Sequence, residues 1–155
     1  MKASILVVAI TALAITLMGC TKEEATEAHP ILSSTIEGTA EYVAVEHVKT
    51  MFSGNAEQYI KDMDLKNQLT DEQFENINFT ALTNSCTPYL EALKNKAESA
   101  GGIRRIICER TLFNTDKTSA KVSIVIKFKD PTKKDHEEVI NVSKFNGRWL
   151  PALSQ

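Results

Sequence analysis

Hydrophobic periodicity changes at Gly101-Gly102, and that change restricts the fold more than any other feature of the 155-residue chain. Before it, apolar residues recur at helical spacing: Ala40, Ala44, Val48, Met51 and Phe52, with Val43 beside them. Gly54-Asn55 stops this first helix, and "AEQYIKDM" (56–63) reads as a second, short one. In "TDEQF", Thr70 can cap a helix, Gln73 can close a capping box, and Asp71 and Glu72 suit the positive helix end. Phe74, Ile77, Ala81 and Leu82 follow, then Leu90, Leu93 and Ala97; Pro88 is expected to split or kink this stretch. After Gly102 the period becomes two. "IRRIICERTLF" (103–113) opens the strands, and "SAKVSIVIKFK" (119–129) is the clearest of them. There Ala120, Val122, Ile124, Ile126 and Phe128 alternate with Lys121, Ser123, Lys127 and Lys129. "DPTKKD" is a turn, "HEEVINVSKF" (136–145) a third strand, and Asn146-Gly147 a hairpin signal. "RWLPAL" is the last strand, placed at a sheet edge by Pro151. Helices followed by a four-stranded antiparallel meander predict an α+β fold, with the helices' apolar stripes covering one sheet face.

The N-terminus has a different character. Met1-Lys2 precedes an uncharged apolar run over 3–19, the pattern of a signal-peptide h-region and short for a membrane span. The polar "TKEEATEAHP" ends the run. At the junction, Leu17-Met18-Gly19-Cys20 resembles the bacterial lipobox. That resemblance implies cleavage between Gly19 and Cys20, a diacylglyceryl group on the Cys20 sulfur, and acylation of the new amine. Each buried acyl CH₂ contributes about 0.8 kcal/mol, so two or three chains hold a protein on a membrane. Residues 1–19 are therefore expected to be a lipoprotein signal peptide, and 20–36 the lipidated Cys20 with a flexible tether. Residues 37–155 form the folded domain. The expected location is the extracytoplasmic side of the cell membrane, or the periplasmic side of the outer membrane in a diderm host.

The stretches "AEYVAVEHVKTMFSGNAEQYI", "GGIRRI" and "VINVSKFNGRWLPAL" resemble a family of small bacterial lipoproteins. These carry a cystatin-like, nuclear-transport-factor-2-like (NTF2-like) domain of unknown function. Asn146, Gly147, Arg148 and Trp149 match the closing hairpin of that family. The resemblance spans about residues 39–155 and implies a cone with a curved sheet. It implies no fixed activity, because this fold hosts enzymes, binding modules and dimerisation domains alike.

Few residues point to catalysis. Cys86 and Cys108 remain once Cys20 is lipidated, and an oxidising compartment permits a bridge between them. Such a bridge would close a loop of about 20 residues, worth about 3 kcal/mol in the chain-entropy treatment. The alternative is two buried free thiols that pack as small apolar groups. Cys108 is expected to share an inward strand face with Ile106 and Leu112. His29 falls in the spacer, His136 at a strand start beside Glu137-Glu138, and His47 alone on the first helix, where a solvated or satisfied residue is the ordinary outcome. Tyr42 and Tyr59 suit a core edge or a pocket mouth. Asp62 and Asp64, two apart, do not share a helix face. No phosphate loop, nucleophile elbow or zinc motif appears, so neither enzyme activity nor a metal or cofactor is expected.

Charge is unevenly spread. Residues 20–100 hold 6 basic and 14 acidic side chains, a balance of −8; residues 101–155 hold 11 basic and 6 acidic, a balance of +5. Lys121, Lys127 and Lys129 share a strand face, with Lys133 and Lys134 at the adjoining turn. This basic face suits an anionic envelope component or an acidic protein; exposed lysines also simply keep a sheet soluble. The overall charge of −2 excludes an expectation of nucleic-acid binding. The expectation is thus a lipid-anchored binding module. The alternatives are a small isomerase- or dehydratase-like enzyme on the same cone, or a homodimeric structural module of the envelope.

Overall fold

A computed structural model describes residues 36–153; Gly19, Cys20, His29 and the leader lie outside the described residues. Among the described residues five helices precede the strands: α1 (Ala40–Ser53), α2 (Ala56–Asp62), α3 (Leu65–Gln68), α4 (Asp71–Glu75) and α5 (Phe79–Ser99). Four strands follow: β1 (Ile103–Phe113), β2 (Ser119–Phe128), β3 (His136–Phe145) and β4 (Arg148–Pro151). They form one antiparallel sheet in the order β1-β2-β3-β4, the expected meander.

Local chemistry sets the helix ends. Thr39 caps α1 by accepting from the Tyr42 amide, and Gly54 ends it at φ 75°, a left-handed conformation that suits glycine. Thr70 and Gln73 form the expected capping box at α4. Asn78 caps α5, which runs unbroken through Pro88 and so departs from the expected split. Proline there removes the bond to the Asn84 carbonyl. Asn84 and Pro88 are both exposed, so water can satisfy that oxygen. Asn146 (φ 50°) and Gly147 (φ 80°) make the tight β3–β4 turn, as their sequence foretells.

α1 crosses all four strands, and α5 packs on α1 and α2. Their apolar stripes meet the even-numbered row of β2: Val122 and Ile126 are wholly buried, as are Leu90 on α5 and Val48 on α1. β4 lies at an edge, where Pro151 costs no central ladder bond. Gln68 of α3 ties that edge down. Its amide donates to the Pro151 carbonyl at 2.8 Å and its Oε1 accepts from the Leu153 amide.

β1 is less regular than its sequence suggests. Ile103 pairs with Phe128 and Ile106 with Ile126, so an extra residue enters between them; a second enters between Cys108 and Thr111. Each bulge shifts the alternation by one. Ile103, Ile106, Cys108, Thr111 and Phe113 therefore share a face with the core row of β2. Leu112 pairs with Lys121 on the opposite face, which corrects the expectation that Leu112 sits with Cys108.

Candidate functional site

The sheet's inner face is filled by side chains, and polar groups gather where β3 meets α5. His136 and Glu138, two apart on a strand, point the same way. His136 Nε2 lies 2.6 Å from Glu138 Oε1, and the Tyr89 hydroxyl of α5 reaches the same oxygen at 3.2 Å. Lys96, two helical turns along α5, brings its Nζ to 2.5 Å from His136 Nδ1. An ammonium can only donate, so Nδ1 accepts and Nε2 carries the proton that it donates to Glu138. Both bonds to Glu138 end on Oε1, leaving Oε2 without a partner among the described residues. The Phe52 ring meets His136 edge-on at 5.4 Å and fixes its orientation.

Beneath this rim lies His47 of α1, only 6% exposed, with its ring 4.8 Å from that of Tyr59. Its Nδ1 is buried and has no hydrogen-bond partner among the described residues. It is thus neither solvated nor satisfied, unlike the ordinary helical histidine. Burial pushes His47 down to about pKa 4, only partly opposed by the charges of Asp62 and Glu138, so the ring is neutral near pH 7. Burial likewise pushes Tyr59 up to about 12 and raises Tyr89, with the Glu138 carboxylate adding to both. The two phenols remain hydrogen-bond donors at any physiological pH. Asp62 is tied by Thr50 at 2.7 Å and Gln58 at 2.6 Å, whereas Asp64 faces Asn67 and Arg148, so the two carboxylates do not form a pair.

The remaining residues singled out in the sequence fall elsewhere. Cys86 and Cys108 are both buried and unbridged, so the expected pairing is not formed in this structure. Cys86 stands on α5 and Cys108 on β1. Cys108 instead neighbours Thr111 at 3.7 Å. Burial raises both thiol pKa values, which keeps them protonated and poorly nucleophilic.

Lys121 and Lys127 lie on the outer sheet face as expected. Lys129 follows the end of β2 and rests against Gly101 and Gly102, and Lys133 and Lys134 stay in the exposed β2–β3 turn. The register adds Arg105, opposite Lys127, and Arg110, opposite Ser123. The like-charged Arg105–Lys127 pair is unfavourable for the sheet; Asp135, 3.5 Å from Lys127, relieves part of it. Ile107, Val125 and Val139 lie between these cations, and Val139 is 59% exposed.

Sequence reasoning missed the Tyr89–Glu138–His136–Lys96 group. Half of it was visible, because His136 and Glu138 stand at strand spacing; the α5 partners, some 40 residues away, were not. Among the described residues no cluster of three or more His, Cys, Asp or Glu has metal-binding geometry.

No family model matches the chain, and no curated protein matches it. Among solved structures, it is similar to a Campylobacter jejuni protein named by inference as an NTF2-like transpeptidase, at 23% identity and a TM-score of 0.57. The match covers 72% of this chain and 94% of that one. At this identity the likeness establishes the fold alone: the chain has the α+β, NTF2-like cone that its sequence suggested.

Proposed function

We propose that this chain is a lipid-anchored, extracytoplasmic binding module of the bacterial envelope. Its outer sheet face would engage an anionic envelope component. The observation that carries this reading is the Arg105–Lys127 cross-strand pair. A sheet that sets two cations opposite each other, with Arg110 and Lys121 further along, sacrifices stability to build a positive field. The packing beneath the middle of the sheet agrees with a surface role, since Val122, Ile124, Ile126 and Val142 are all buried there. The anchor rests on the lipobox resemblance at Cys20. It is tested by the mass of the membrane-bound chain, with and without Cys20→Ala.

The binding face is tested with the full chain, solubilised in neutral detergent and passed over beads bearing anionic polysaccharide. Retention should weaken with added salt and fall in the double variant Arg110→Glu, Lys121→Glu. Retention indifferent to salt, or unchanged by the charge reversal, removes the reading.

A second reading, a small isomerase- or dehydratase-like enzyme, draws on the unpartnered Oε2 of Glu138 beside Tyr89. Under this reading that oxygen would take a proton from a bound hydroxy- or keto-compound. Under this reading Glu138→Gln abolishes turnover while leaving the fold intact. The name of the Campylobacter jejuni protein adds nothing to the enzyme case, since a likeness at 23% identity carries the fold and no activity.

A further inference from the structure

A groove of about 480 Å³ opens between α1 and the start of β1, beside Phe52. Its walls are Val45, Phe52, Ile103 and Ile106, and its rim is Lys49, Arg104 and Arg105. The first β1 bulge builds it. The extra residue turns both Ile103 and Ile106 toward the core and leaves the two adjacent arginines at the mouth. Phe52 is held against Phe128 and His136, so the floor is fixed by packing. Lys49 is already paired with Glu46 at 2.5 Å. Arg104 and Arg105 have no ion-pair partner among the described residues, although the helical half of the chain is rich in carboxylates.

We infer that this groove binds a single-chain anionic amphiphile, a fatty acid, with its alkyl chain along the isoleucines and its carboxylate between the two guanidinium groups. Apolar walls alone would accept any alkyl chain. The rim selects the sign of the head group, because an arginine fork meets a carboxylate through two parallel hydrogen bonds. The volume lies within the range of small-molecule sites. This inference shares Arg105 with the outer-face reading, and Arg104→Glu, which leaves Arg105 and Lys127 in place, separates the two.

The test uses the full chain and a dodecanoate analogue carrying a photoreactive group on its alkyl chain, with labelled residues located by mass spectrometry. Labelling should fall on the groove walls. Unlabelled dodecanoate should compete, and dodecyltrimethylammonium, which has the same chain and opposite charge, should not. Arg104→Glu should reduce labelling about tenfold or more, as expected for losing charge-assisted bonds. Val45→Trp, which fills the groove, should abolish labelling while thermal unfolding stays cooperative. Labelling spread over the surface, equal competition by the cationic amphiphile, or full labelling in a folded Val45→Trp chain would each overturn the inference.

Discussion

His47 makes stability depend on pH in a way that can be calculated. The folded chain holds its imidazole near pKa 4, against about 6.5 when unfolded. Between those values the unfolded chain binds a proton that the folded chain refuses, so stability falls as pH is lowered. Integrating the linkage relation over these two pKa values gives a loss of about 2 kcal/mol between pH 7 and about pH 5, and about 3 kcal/mol by about pH 4. Below that the contribution of His47 is flat. The nearby carboxylates Asp62 and Glu138 act against the shift, so they reduce the loss and do not cause it. The assay is urea unfolding followed by fluorescence of Trp149, the sole tryptophan, whose ring packs 5.9 Å from Phe113. The comparison is with His47→Leu, which removes the titrating ring and its unpartnered nitrogen. Other titrating groups contribute equally to both proteins, so the difference between the two profiles isolates His47. The variant should lack the component between about pH 7 and pH 4 and match or approach the parent at neutral pH, where the lost Tyr59 contact costs about 0.5–1.5 kcal/mol. If the two profiles run parallel over that range, the ring is not buried neutral and the reasoning fails.

Two further outcomes follow from the packing. Leu90→Ala, at a wholly buried position where α5 meets the core, should cost about 2–5 kcal/mol in the same urea assay; a loss below about 1 kcal/mol would mean that α5 is not seated there. Cys86 and Cys108 should resist a water-soluble thiol reagent at neutral pH while folded and both react once unfolded; a denatured, unreduced chain without free thiols would establish the bridge in its place.

Much of the architecture was readable because it depends on neighbours in sequence. The capping box at Thr70, the Asn146-Gly147 turn and the alternation along β2 each follow from residues within a few positions of one another. The β1 bulges were not readable. "IRRIICERTLF" alternates imperfectly, and only the pairing with β2 determines which residues are extra. Pro88 misled for a related reason: its cost in a helix depends on whether the freed carbonyl meets water, and solvent exposure is a tertiary property.

The same boundary divides the functional residues. Charge segregation and the His136–Glu138 spacing stand in the primary structure, because composition and strand period are local. The approach of Tyr89 and Lys96 to that pair and the burial of His47 were settled only when α1 was laid across the sheet and α5 packed on α1 and α2. Contacts between residues distant in the chain are chosen by how apolar faces fill space, and a one-dimensional pattern does not encode that choice one residue at a time.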